Sequence, residues 1–190
     1  FRRFFNLPDN QRPQERETQS TGSGVIVDAV RGYVLTNGHV VENATRAWDM
    51  AFYSLPFSPG DRILCARAEY ESNVIAFLQV ARRHGASVEP VPNDEHGRLS
   101  VDALAEMLDE RVKLVAITHV NSNSGDLLPA KEICAAARDR GVMSLVDGAQ
   151  SFGVLDVDLS AINPDFYSGS MHKWPCGPKE KGLLFVNKGV

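Results

Sequence analysis

Val142-Met143-Ser144-Leu145-Val146-Asp147-Gly148-Ala149-Gln150 decides how this chain is read. An apolar run short enough for one buried strand ends in a carboxylate, and glycine turns the chain beyond it. A strand this apolar, broken only by Ser144, belongs in a sheet covered on both faces. Working outward, Leu114-Val115-Ala116-Ile117, Arg62-Ile63-Leu64-Cys65-Ala66, Phe166-Tyr167 and Leu183-Leu184-Phe185-Val186 read as further strands, and Val88–Val91 is strand-like. Between them apolar residues recur at helical spacing. One set is Ala47, Met50, Ala51, Phe52 and Leu55, with Asn43 as candidate cap and Pro56 as stop. A second is Val74, Ile75, Leu78 and Ala81, closed by Gly85. Ser100 can cap a helix through Val101, Leu104 and Leu108. Pro129 suits the first turn of one carrying Ile133, Ala136 and Ala137, which Gly141 ends. Strands alternating with helices predict an α/β domain: a mainly parallel sheet with helices on both faces.

The bulk numbers agree with one soluble core. The chain has 190 residues, 43% hydrophobic and 23% charged. A net charge of −4, from 20 basic against 24 acidic residues, offers no broad attraction to nucleic acid or anionic membranes. No apolar run approaches the ~20 residues of a membrane span, and no signal peptide is evident. Cys65, Cys134 and Cys176 form neither a disulfide framework nor a metal pattern, so a reducing, cytoplasmic setting is expected.

The first residues read differently. Residues 6 to 22 are polar and rich in Pro, Gln and Arg, as in an exposed arm. Val25-Ile26-Val27 and Tyr33-Val34-Leu35-Thr36 flank Arg31-Gly32 and predict a β-hairpin. The expected division is residues 1–44 for the arm and hairpin, and 45–190 for the α/β domain.

In open parallel sheets a ligand lies beyond the carboxyl ends of the strands. Asp147 stands at such an end, Asn121–Gly125 follow another, and Glu69-Tyr70 a third. The irregular segment Ser168-Gly169-Ser170-Met171-His172-Lys173-Trp174-Pro175 follows Asp147 closely. A lysine that forms a Schiff base and a buried acid that keeps a pyridine nitrogen protonated are what pyridoxal phosphate chemistry requires. Each residue has a plainer reading. Lys173 could be a surface lysine and Asp147 a cap. Gln150 could bond a phenolic oxygen or be polar filler. Ser170 and His172 could donate to a phosphate, as could the helix start at Ala44-Thr45. Tyr70 could stack on a ring or sit in the core. One of Asn121, Ser122 and Asn123, with Asn121 foremost, is expected at cofactor or substrate; otherwise they form a polar loop turning at Gly125. Cys176 is read as packing.

Five segments carry a resemblance: Asn43-Ala44-Thr45-Arg46-Ala47-Trp48, Ala68-Glu69-Tyr70-Glu71-Ser72-Asn73, Thr118-His119-Val120-Asn121, Val146–Gln150 and Gly169–Trp174. Residues from about 43 to 190 resemble the large domain of the class V aminotransferases, fold type I pyridoxal phosphate enzymes, most nearly the isopenicillin N epimerase-like and cysteine desulfurase-like branch. The resemblance implies Lys173 as the Schiff-base lysine, Asp147 at the ring nitrogen and Gln150 at the phenolic oxygen. It also implies Thr45, Ser170 and His172 at the phosphate and Tyr70 over the ring. It implies an amino acid or small amine as substrate, an epimerase, aminotransferase or lyase reaction, and a homodimer. The family's small C-terminal domain is not in this sequence, so weak turnover is expected.

Gly22–Val27 with Gly32–Val41, including the run Thr36-Asn37-Gly38-His39-Val40-Val41, is similar to the HtrA/Deg trypsin-like proteases. That resemblance implies His39 as a triad base, but no nucleophilic serine segment follows it. The competing readings are therefore a protease fragment carrying only His39, or a non-catalytic chimeric domain.

Overall fold

A computed structural model describes residues 24–28, 33–36 and 41–190. Strands β1 (Gly24–Asp28) and β2 (Tyr33–Thr36) pair antiparallel, forming the expected hairpin ladder. The Arg31-Gly32 turn and His39 lie outside the described residues.

The main body runs α1 (Ala44–Ser54), β3 (Arg62–Cys65), α2 (Glu71–His84), β4 (Ser87–Pro90) and α3 (Val101–Met107). It continues β5 (Val112–Thr118), α4 (Ala130–Asp139), β6 (Met143–Asp147), α5 (Leu159–Ile162), β7 (Phe166–Ser170) and β8 (Gly182–Val186). The sheet order is β4-β3-β5-β6-β7-β8. Every pairing is parallel except β7 with β8. The expected fold class holds.

Strand periodicity splits the core. Leu114 and Ala116 face one way, with Ile63 and Leu145, toward Trp48, Phe52 and Phe77 of α1 and α2. Val115 and Ile117 face the other, toward Leu104 of α3 and Ile133 and Ala137 of α4. The first face holds an aromatic cluster, with Trp48 and Phe52 stacked at 4.7 Å and Trp48 edge-on to Phe77 at 5.4 Å.

Helix starts are set by local chemistry. Asn43 accepts from Arg46 N at 2.9 Å, and Ser100 accepts from Ala103 N at 3.2 Å. Gly85 ends α2 at φ 72°, a left-handed cap that costs glycine little. Helix α2 departs from expectation in its rotation. Its buried residues are Asn73, Ala76, Phe77 and Val80, whereas Ile75 and Leu78 are 56% and 58% exposed. Both sets form helical stripes. Phe77 and Asn73 decide between them, the first by filling the aromatic cluster and the second by bonding a buried acid. The short α5, capped by Asp158, was not expected, because four residues give no period.

The chain leaves β3 toward β4 on one side and then crosses to β5 on the other. This reversal of direction opens a crevice at the strand ends between β3 and β5.

Candidate active site

The crevice is a cavity of about 470 Å³, within the range of small-molecule sites. Five elements meet there. The start of α1 brings Thr45 and Arg46, the segment after β3 brings Tyr70, and β5 ends in Thr118. Asp147 and Gln150 come from the end of β6 and the turn after it, and Ser170, His172 and Lys173 from β7 and the loop beyond. All the expected site residues of the α/β domain except Asn121 line this one cavity.

Asp147 is 3% exposed. Its Oδ2 accepts from Asn73 Nδ2 at 2.9 Å, and its Oδ1 from Ala149 N at 3.0 Å. Burial raises the pKa of this carboxyl, opposed by those two donors and by the charge of Lys173. No lysine or arginine among the described residues forms an ion pair with it. A buried acid with two donors and no ion-pair partner suits a protonated ring nitrogen, the cation it lacks. Gly148 follows because nothing larger fits: a Cβ there would lie 2.0 Å from Cζ of Tyr167.

Ser170 is 2% exposed, and its Oγ accepts from Ala44 N at 2.8 Å, tying the end of β7 to the start of α1. This bond brings Thr45 and the positive end of an 11-residue helix to the same wall as His172. The donor set suits a phosphate. Lys173 is half-buried, with Nζ 5.8 Å from the centre of the Tyr70 ring. Tyr70 is 37% exposed and flanks the cavity, so it does not belong to the core. Gln150 Oε1 accepts from Trp174 Nε1 at 3.0 Å.

Asn121 has another task. Its Nδ2 donates to Ala68 O at 2.7 Å, and its Oδ1 accepts from the backbone of Asn123 and Ser124. It orders the polar loop that turns at Gly125, φ 77°, and Ser122 reaches the cavity in its place.

Three residues were given no role by the sequence: Glu69, Asn73 and Thr118. Glu69 as a whole is half-buried, but its carboxyl is enclosed. Its Oε1 accepts from Ala66 N at 3.1 Å and Thr118 N at 3.2 Å, and a 2.6 Å bond joins its Oε2 to Thr118 Oγ1. Burial pushes its pKa up to about 8 against the hydrogen bonds from Thr118 and Ala66, and the charge of Asp147 adds to the rise. Behind the site, His119 Nδ1 lies 2.9 Å from Ser151 Oγ, which lies 2.9 Å from Tyr167 OH. Burial lowers the pKa of His119. The signal available for Asn73 was the second helical stripe it shares with Ala76, Phe77 and Val80.

The aminotransferase class-V family profile matches residues 39–190. The match takes in His39 and begins before the boundary expected at residue 44. Gly182 N also donates to Val41 O at 2.8 Å, so the lead-in to α1 already pairs with the start of β8. The protease resemblance, and with it the chimera, gains no support. Isopenicillin N epimerase of Streptomyces clavuligerus is 38% identical over 152 residues, 77% of this chain and 38% of that protein. Cysteine desulfurase of Haloferax volcanii is 30% identical over 152 residues, 78% of this chain and 35% of that protein. The chain thus spans less than half the length of these relatives. Among solved structures, a variant of the C-DES protein with glycine covalently linked to its PLP cofactor superposes with a TM-score of 0.72. It is 30% identical and covers 78% of this chain and 40% of its own. The chain belongs to the class V aminotransferase family, with pyridoxal phosphate as its cofactor.

Proposed function

We propose that this chain acts on an amino acid or small amine, with Lys173 holding the cofactor covalently. The observation that carries the reading is the convergence of Lys173, Asp147 and the Thr45–Ser170 phosphate wall on one cavity, from three separate segments. Asp147 would hold the ring nitrogen, Gln150 the phenolic oxygen, and Tyr70 a face of the ring. Thr45, Ser170 and His172 hold the phosphate. When bound, pyridoxal phosphate supplies an electron sink beside the substrate's α-carbon.

The work of the chain's own residues follows from their positions. Ionised Asp147 holds a proton on the ring nitrogen, and its two hydrogen bonds keep it oriented. Tyr70 and the start of α1 both line the cavity that the substrate would enter. Lys173 Nζ, which lines the same cavity, would be the base that takes the proton from the substrate's Cα. Transamination, epimerisation and β-elimination share that step. A homodimer in the cytoplasm completes the reading. Val74, Ile75 and Leu78 leave an exposed apolar strip on α2, and Cys65, Cys134 and Cys176 are free thiols.

Exchange of the substrate's α-proton in deuterated water tests the reading. A panel of amino acids should show exchange in the presence of pyridoxal phosphate, and none with Lys173→Ala. Equal exchange by that variant would remove Lys173 from the chemistry.

A further inference from the structure

We propose that Trp174 is a positioning residue: its indole N–H fixes which end of the Gln150 amide faces the cofactor's phenolic oxygen. The inference rests on the cofactor reading above and extends it to a residue outside the cavity wall.

An indole nitrogen can only donate, whereas a glutamine amide presents an acceptor at one end and donors at the other. The 3.0 Å contact from Trp174 Nε1 therefore assigns Oε1 to the Trp174 side and leaves Nε2 as the free end. Gln150 lines the cavity, so the end it offers a ligand is a donor. A phenolate oxygen accepts. Flipping the amide would set donor against donor at Trp174 and acceptor against acceptor at the ligand.

Burial does not explain the tryptophan, which is 54% exposed. The loop that carries it is held from two directions. Gly177 N donates to Met171 O at 2.7 Å, and Cys176 N donates to Lys173 O at 3.0 Å. Pro175 packs onto Gly153, where a Cβ would lie 2.6 Å from Pro175 Cγ. The Trp174–Gln150 bond thereby joins the loop of Lys173 to the turn of Asp147, and sets the donor beside the atom whose charge governs the proton on the Lys173 linkage.

Two measurements test this. In the cofactor-free chain, labelled with ¹⁵N at tryptophan, Gln150→Leu should move the indole N–H resonance of Trp174, identified by its loss in Trp174→Phe, and leave that of Trp48 in place. With pyridoxal phosphate added, the visible band is titrated with pH. A misplaced donor leaves more charge on the phenolic oxygen, which then holds the linkage proton more tightly. Trp174→Phe should raise that proton's affinity about tenfold, one pH unit, with the cofactor-free unfolding midpoint unchanged. Trp174→His, which restores a ring N–H, should recover most of the shift. An indole resonance unmoved by Gln150→Leu, or a titration unmoved by Trp174→Phe, overturns the role. A wild-type chain with no visible band overturns the cofactor reading itself and this role with it.

Discussion

Asn73 Nδ2 lies 2.9 Å from Asp147 Oδ2, a buried bond between residues 74 positions apart. One comes from the inner face of α2, the other from the end of β6. The pair fixes both the rotation of the helix and the orientation of the acid.

Removing the donor should therefore be felt at the site. Asn73→Ala leaves a buried acceptor short of a partner, at a cost of about 1–3 kcal/mol. Asp147 then becomes harder to ionise, and pyridoxal phosphate should bind about tenfold more weakly. Equilibrium titration of the cofactor's absorbance, beside chemical denaturation of the cofactor-free chain, measures both effects. Unchanged affinity would mean that Asn73 only packs.

Asp147→Asn keeps the shape and the hydrogen bond from Ala149 N but removes the charge. The variant should still take up cofactor at Lys173, while α-proton exchange should fall by roughly 10²–10³, the scale of losing one preorganised electrostatic partner. Exchange at the wild-type rate would show that the acid does not act on the ring nitrogen.

Glu69 makes stability depend on pH. In the folded chain it keeps its proton up to about pH 8, whereas an unfolded glutamate releases it near about pH 4.3. The folded state binds the extra proton between those values. This contribution is therefore fully present below the lower value and is lost as pH rises through the upper one. Glu69→Gln can keep the contacts to Ala66 and Thr118 without a titrating group. In cofactor-free urea denaturation, wild type should weaken relative to Glu69→Gln as pH rises from about 4.5 to about 8, and run parallel to it above that. Curves parallel over the whole range would show that the carboxyl is already ionised at neutral pH.

The aromatic cluster over the sheet should behave as tightly packed core. Phe77 is 1% exposed and lies 5.5 Å from the Phe52 ring. Phe77→Ala should cost about 3–5 kcal/mol, read as a lower denaturation midpoint. A loss under about 1 kcal/mol would mean that the neighbouring rings collapse into the space.

Much of this architecture was legible because it rests on local patterns. Leu114–Ile117 is apolar without a break and Met143–Val146 is broken only by Ser144, as suits strands covered on both faces. Asn43, Ser100 and Gly85 mark helix ends by their own chemistry. Asp147, Ser170 and Lys173 were legible because each follows or ends a recognisable strand. What escaped depends on tertiary placement. The stripe Val74, Ile75, Leu78 is as apolar as the stripe that is buried, and only the position of Asp147 makes Asn73 an inward residue. Glu69 reads as an ordinary surface acid until β3 and β5 are side by side. Asn121 carries the right chemistry for a ligand, but its amide is taken up by Ala68, Asn123 and Ser124. The similarity of residues 22–41 to a protease rested on a short run. The family match reaches back to residue 39, into that same run.

The central claim is covalent, and so is its most direct test. Pyridoxal phosphate is added to the chain, the linkage is reduced with borohydride, and the digest is mapped by mass spectrometry. The account predicts a single pyridoxyl-modified peptide bearing the label on Lys173, absent from Lys173→Ala. A label on Lys179, Lys181 or another lysine with Lys173 unmodified, or no label at all, would contradict it.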